Sequence, residues 1–329
     1  MSILVSRIVA LRMGLRYVII GIWLLLAATF TSAQTPRTAE NFMDRGIARQ
    51  SKGDFDGAIE DFTKVISMKP LALVLAVAYN NRANARTAKN DIEGAIADYT
   101  SAIAVLPTDA ENYYNRGALL LGKGDYDLAI ADFSKTIELA PKLSLAYNNR
   151  GNARSAKGDV DGAIADYTKA LEQNPKYAEA FYNRGAAWQE KKEFDSAIRD
   201  YTSTLTLAPK FVDAYVNRGQ AKQSKQDFDG AIADYDSALQ LKADEGTFFA
   251  RATARESKKD LEGALADYNR VLELNPNSAQ SYASRGAIEA VLGKTTQAEQ
   301  DFGKAFKLDP NLRAAYKDFL EKRHLKVGP

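Results

Sequence analysis

Two residue patterns in this sequence could do chemistry. The first is an arginine followed sixteen residues later by an aspartate, met eight times: Arg45 with Asp61, Arg82 with Asp98, Arg116 with Asp132, Arg150 with Asp166, Arg184 with Asp200, Arg218 with Asp234, Arg251 with Asp267 and Arg285 with Asp301. A guanidinium is a planar fork of donors that fits a carboxylate with two parallel hydrogen bonds, so each pair is expected to tie two chain segments together. The second pattern is an asparagine directly before five of those arginines: Asn81, Asn115, Asn149, Asn183 and Asn217. Asn84 and Asn152 follow three places on, and Asn80 and Asn148 stand one place earlier. An amide carries donors and an acceptor, the set that an extended peptide backbone needs from a wall beside it.

Catalytic chemistry finds few candidates. The single histidine, His324, lies in the terminal tail, so no histidine dyad or triad can form. There is no cysteine, hence no disulfide, thiolate nucleophile or cysteine-ligated metal. Neither GxxxxGK[ST] nor GxGxxG occurs. Carboxylates are plentiful but recur at equivalent places, whereas an active site is normally one singular constellation. The chain reads as non-enzymatic, with no metal and no cofactor.

The elements that position these residues follow from their spacing. Successive arginines of the eight pairs are 37, 34, 34, 34, 34, 33 and 34 residues apart. In the unit 144–177 an aromatic (Tyr147) precedes the arginine by three places, while Ala163 and Tyr167 follow it, and equivalent residues recur in every unit. Spacings of three and four mark amphipathic helices. A Gly-Asp turn separates the two helical stretches at Gly53-Asp54, Gly124-Asp125 and Gly158-Asp159, glycine suiting a left-handed helix end and aspartate the next cap. Pro70, Pro107, Pro141, Pro175, Pro209, Pro276 and Pro310 close the units. Each unit is therefore a helical hairpin, and hairpins of this size bury their apolar faces only by stacking.

Counted from Ser144 as position 1, Tyr147 at 4, Gly151 at 8, Ala163 at 20, Tyr167 at 24, Ala170 at 27 and Pro175 at 32 resemble the tetratricopeptide repeat (TPR). The resemblance covers about residues 39–320. It implies an all-α fold, a right-handed superhelical solenoid of antiparallel helix hairpins with a groove lined by the first helix of each repeat. The eight repeats are 39–75, 76–109, 110–143, 144–177, 178–211, 212–244, 245–278 and 279–312, followed by a capping helix and tail at 313–329. Position 7, usually large and apolar in the family, is the arginine of every pair, and position 11 is Arg49, Arg86, Arg154 or Arg255 in four copies. The pairs read as structural, joining the two helices of a hairpin. In the ninth start Phe319 stands where the arginine would be, and no second helix follows to supply an aspartate. That helix reads as the solvating cap a solenoid needs.

Helical angles place positions 4, 8 and 11 on one stripe, expected to face the core, and positions 2, 6, 9 and 13 opposite, expected to face the groove. The asparagines then resemble the ladder in the TPR superhelix of O-GlcNAc transferase, which implies a peptide held along them; the other reading is that they bond a neighbouring helix. Trp188, at position 11, reads as core or as a groove anchor. The family's chaperone-tail clamp is absent, because no lysine stands at position 5 and Glu111, Glu179 and Asp213 stand at position 2.

Two joints are irregular. The apolar segment 71–77, from Leu71 to Val77, carries three extra residues, either a turn buried on the first repeat or an exposed patch for a partner or a second copy. The repeat 212–244 has Ala243 in place of proline and is one residue short, so a kink is expected there.

Residues 1–33 have the layout of a secretory signal peptide: Arg7, Arg12 and Arg16 with no acid, an apolar run at 18–30, then Thr31, Ser32 and Ala33. A linker at 34–38 follows. The apolar run is shorter than the roughly 20 residues a membrane span needs, so cleavage is favoured over an uncleaved anchor. Of 44 basic and 42 acidic residues, three basic ones lie in this leader, leaving a net charge of −1 in the mature chain and no basic balance to attract nucleic acid. The sequence thus points to an exported protein of the periplasm or exterior, or alternatively one anchored at the inner membrane. Its expected partner is a protein or extended peptide, with membrane contact only if the leader is retained and a homo-oligomer through 71–77 as a further option.

Overall fold

The computed structural model describes residues 38–328, so the expected leader lies outside the described residues. Within them the chain is all-α, and consecutive helices pair as hairpins. The first helices of the eight repeats are α1 (Ala39–Ser51), α3 (Ala72–Ala88), α5 (Ala110–Lys123), α7 (Ser144–Ala156), α9 (Ala178–Glu190), α11 (Val212–Ser224), α13 (Glu245–Ser257) and α15 (Ala279–Val291). The second helices are α2 (Phe55–Ser67), α4 (Ile92–Val105), α6 (Tyr126–Leu139), α8 (Val160–Gln173), α10 (Phe194–Leu207), α12 (Phe228–Leu241), α14 (Leu261–Leu274) and α16 (Thr295–Leu308). A last helix, α17 (Leu312–Lys322), ends the stack. No helix among the described residues is long and apolar enough to cross a membrane.

Every hairpin reverses through a left-handed residue at position 15. Gly53, Gly124, Gly158 and Gly293 take φ of +76° to +86°, and Asn90, Lys192, Gln226 and Lys259 take +62° to +67° in the other four turns. The conformation is thus demanded by the hairpin, and glycine is only its least strained occupant. The aspartate that follows caps the second helix: the side chains of Asp54, Asp91, Asp159, Asp227 and Asp260 each accept the N–H of a glycine three residues on.

The hairpin closes by setting an aromatic ring on a glycine. A Cβ added to Gly151 would lie 2.6 Å from the ring of Tyr167, and Gly46, Gly185 and Gly219 face Phe62, Tyr201 and Tyr235 in the same way. Along the first helices the buried line runs through positions 3, 8 and 10, such as Ala146, Gly151 and Ala153, rather than through 4, 8 and 11. The reason is the arginine at 7: it occupies the seam toward the second helix, and Tyr147 at position 4 lies half-buried beneath it, the guanidinium 5.9 Å from the ring centre. Stacked hairpins press on a first helix from both sides, which splits its buried surface into two lines.

First helices of successive repeats also touch one another, α1 with α3 and α5 through α13 in series, to a degree that no pair of second helices matches. They form the inner layer of the solenoid, and the second helices the outer one. The irregular joints fit this plan. Segment 71–77 gives α3 an extra turn that is only half-buried: Val74 packs with Phe42, Val65 and Ala78, while Leu71 and Leu73 are 83% and 64% exposed. The one-residue deletion before α13 is taken up at Asp244, whose side chain accepts the N–H of Thr247 at 2.9 Å, and α13 still packs on α12. Trp188 is half-buried and packs against the core cluster that contains Ala163, Ile164, Tyr167 and Ala187. The cap α17 places Tyr316, Phe319 and Leu320 on the Phe302 and Phe306 cluster, the rings of Phe319 and Phe302 being 6.0 Å apart.

Candidate functional site

All eight arginines at position 7 grip the aspartate of their own hairpin through Nε and Nη2, with distances between 2.5 and 2.9 Å. The aspartates are at most 7% exposed. From the second repeat on, the remaining nitrogen, Nη1, reaches back to the second helix of the preceding repeat: to Thr63, Thr100, Ser134, Thr168, Thr202, Asp236 and Asn269 in turn. One side chain therefore joins three helices. Arg49, Arg86, Arg154 and Arg255 at position 11 add a further bond to the same aspartate and one to a backbone carbonyl beyond the turn. Lys222 does the same in its repeat. The fork holds the Arg116 and Arg285 protons more tightly than an ordinary guanidinium does, the hydrogen bonds to Asp132 and Asp301 outweighing burial. With the nitrogens so engaged, the forks are fastenings between helices.

The asparagines divide into two groups. Three of those at position 6 donate to the position-5 residue of the repeat before: Asn149 Nδ2 to Tyr114 Oη at 3.1 Å, Asn183 Nδ2 to Asn148 Oδ1 at 3.0 Å, and Asn217 Nδ2 to Tyr182 Oη at 3.0 Å. Asn81 Nδ2 meets Met43 Sδ at 3.7 Å. Asn149, Asn183 and Asn217 are half-buried, whereas Asn81 and Asn115 are each only 6% exposed. Position 5 does not lie on the groove wall: Asn80 and Asn148 are buried between first helices, Asn80 Nδ2 donating to Asn112 Oδ1 at 2.7 Å. Their angle on the helix turns them toward the next repeat, an approach that one helix considered alone does not reveal. Asn84 and Asn152 accept the hydroxyl protons of Tyr99 and Tyr167 at 2.7 and 2.9 Å, at the edge of the inner face. Gln189 and Gln223 accept from Tyr201 and Tyr235 in the same way, so the role passes from position 9 to position 12 along the stack.

A second ladder was legible in the sequence but passed over. Lysine stands at position 14 in seven successive repeats, and in the last six of these Lys89, Lys123, Lys157, Lys191, Lys225 and Lys258 each donate to an acid at position 18 of the preceding repeat: Asp56, Glu93, Asp127, Asp161, Asp195 and Asp229. The signal was the constant separation of about 30 residues. These pairs are exposed, and exposed pairs contribute little.

The inner layer thus presents a continuous polar face whose side chains are set in place by neighbours, on a rigid stack of helices. Fold and face together define a helical-hairpin solenoid, the architecture of a protein-interaction scaffold. Models of the tetratricopeptide repeat match residues 39–70, 83–124, 110–143, 151–192, 212–245 and 246–278, and the chain belongs to that family. No curated protein matches it significantly. Among solved structures it is similar to the C-terminal part of a TPR repeat-containing protein from Cytophaga hutchinsonii, at 20% identity and a TM-score of 0.62 over 73% of this chain and 97% of that one. It is also similar to YrrB, described as a TPR protein with an unusual peptide-binding site, at 21% identity and a TM-score of 0.51 over 56% of this chain and 95% of that one. MamA is 28% identical over 49% of this chain and 94% of its own, with a TM-score of 0.48.

Proposed function

We propose that the protein is a non-enzymatic scaffold of the cell envelope that holds an extended peptide or partner protein against its first helices. The observation that carries this reading is the recurrence of Asn149, Asn183 and Asn217 at one place on three successive first helices, each oriented by a bond to the helix before it. Asn149 and Asn217, each giving one N–H to a neighbour, have capacity for a further donor and acceptor bond, Asn183, whose Nδ2 donates to both Asn148 and Asn152, has acceptor capacity, and a fixed amide loses less freedom on binding. The test is capture of partners by the chain from residue 34 onward, and by the same chain with alanine at these three asparagines, circular dichroism confirming the fold of both. Loss of the captured proteins with the variant supports the inner face as the site; an unchanged set removes it. Export is supported by the layout of residues 1–33. Amino-terminal sequencing of the native protein checks it: a start at Gln34 means a released protein, and retention of Met1 means a scaffold held at the inner membrane.

A second reading is favoured by Leu71 and Leu73, both exposed at the start of α3. Self-association through this patch predicts a mass in sedimentation that rises with concentration and falls back to the monomer in Leu71→Ser/Leu73→Ser.

A further inference from the structure

The inner face is segregated by charge. Every lysine and arginine within the first helices stands at position 7, 11 or 14, and those basic side chains point toward the second helices, where acids hold them. Positions 2, 6, 9 and 13, the stripe that runs along the inner layer, hold no basic residue in any of the eight repeats. They hold six acids, of which Glu40, Asp44, Glu179, Glu190 and Asp213 are exposed. Supply is not the cause, since the chain has 44 basic residues against 42 acidic ones. Position 2 lies in the first turn of the helix, where an acid suits the helix dipole. That preference explains neither Asp44 and Glu190 nor the exclusion of bases from positions 6, 9 and 13.

A second feature of the same stripe points to a ligand. Ile47, Val77, Leu145 and Val291 occupy positions 9, 2, 2 and 13 and are 38% to 47% exposed, on a face otherwise made of amides, small residues and acids. Isolated aliphatic side chains between hydrogen-bonding groups suit an extended chain, which offers a side chain to the wall at every second residue. A concave surface lined by one sign of charge also concentrates ligands of the other sign.

Building on the peptide-binding reading above, we propose that the occupant of the inner face is an extended segment carrying lysine or arginine among apolar residues. Its basic groups meet the acids at Glu179, Glu190 and Asp213, and its backbone runs past Asn183 and Asn217. The face discriminates against acidic segments, because a carboxylate there finds like charges and no basic group on the stripe to meet it.

The test uses three fluorescein-labelled peptides of one length and one Leu-Ser frame, with Lys, Gln or Glu at every third place, titrated against the full mature chain by anisotropy. The lysine peptide is expected to bind about tenfold or more tighter than the glutamine peptide, and the glutamate peptide most weakly; the lysine advantage shrinks as salt is raised. Glu179→Gln/Glu190→Gln/Asp213→Asn, a variant of exposed residues, should weaken the lysine peptide about fivefold and leave the glutamine peptide unchanged. Equal affinity for the lysine and glutamine peptides, preference for glutamate, or indifference of the lysine peptide to this variant overturns the inference. If peptide binding persists in those cases and is lost in Asn149→Ala/Asn183→Ala/Asn217→Ala, the inner face still binds peptide and only the charge preference falls. Binding of none of the three peptides removes both.

Discussion

The repeats 144–177 and 279–312 start from the same fork and complete it differently. In the first, Asp166 receives Nε and Nη2 of Arg150 at 2.9 and 2.7 Å and Nη1 of Arg154 at 2.9 Å, so one buried carboxylate meets two guanidinium groups. In the second, Arg285 grips Asp301 at 2.6 and 2.8 Å, but position 11 is Glu289. A second acid thus stands where the other repeat has its second cation. Burial first, and Asp301 next, push the Glu289 carboxyl above the usual carboxylate range, with Arg285 and Lys294 working against them, and its Oε2 is buried without a hydrogen-bond partner. The difference teaches what the fork requires. Bidentate pairing alone holds the hairpin of 279–312, as it does those of 110–143 and 178–211, where position 11 is Leu120 and Trp188, and the cation at position 11, present as Arg49, Arg86, Arg154, Lys222 and Arg255, is a reinforcement.

The largest break in this comparison is Arg150→Ala. It leaves Asp166, whose side chain is 3% exposed, with one of its two guanidinium partners, and it cuts the tie to Ser134 of the preceding repeat. Removing one partner of a buried pair costs about 3–5 kcal/mol. Chemical denaturation should show that loss, with hydrogen exchange quickening first in α7 and α8. Lys169→Ala, which breaks only the exposed pair with Glu172, should leave the midpoint where it is. Equal effects of the two would mean that the fork is not a fastening.

Next in size is Gly151→Ala, which sets a methyl group 2.6 Å from the Tyr167 ring. Overpacking of this kind costs about 1–3 kcal/mol, read from the same denaturation curves. Repeats 76–109 and 245–278 already carry Ala83 and Ala252 at this place, so the ring has some room to shift and the lower end of the range is expected.

The comparison is sharpened by making the end repeat like the inner one. Glu289→Arg should raise the melting temperature by about 2 °C at neutral pH, a typical gain for one repaired contact in a chain of this size. Glu289→Gln separates the charge from the contact. Because the native carboxyl binds its proton more tightly than the unfolded one does, the ionised group destabilises the fold above its native pKa, and that penalty fades as pH falls toward the unfolded value. The advantage of Glu289→Gln should therefore be largest at pH 7–8 and disappear near pH 4–5 in melts across that range. An advantage that grows on acidification would contradict the assignment.

The smallest effect concerns the turns. Gly158 and Gly293 serve the two compared repeats, but Lys192 takes the same left-handed conformation in the repeat between 178 and 211. Lys192→Gly relieves its strain, roughly 1 kcal/mol before the added freedom of the unfolded chain is subtracted. A rise in melting temperature of a degree or less is expected.

Much of this was legible in the sequence. Hairpins, turns, cap and forks all rest on residues that recur at constant separation, and a guanidinium and a carboxylate kept sixteen residues apart through eight copies have few reasons to be so except contact. The direction of the amides was less accessible. The sequence puts the asparagines at positions 5, 6 and 9 on one wall of the groove, yet Asn80, Asn81, Asn115 and Asn148 are buried between repeats. The exposure of Leu71 and Leu73 was equally beyond it, since an apolar turn reads the same whether or not a neighbour covers it.

The sequence by itself determined the unit, its length, its register and the fastening within each hairpin, because these are local or recur at a fixed separation. Only the tertiary structure decided how one hairpin leans on the next: that Nη1 of each inner arginine crosses to the preceding repeat, and that Asn149, Asn183 and Asn217 bond backward. It also decided which stripe was left open on the inner layer, free of basic residues. Those outcomes depend on the angle between repeats, which is the sum of many side-chain contacts and is written at no single position of the chain.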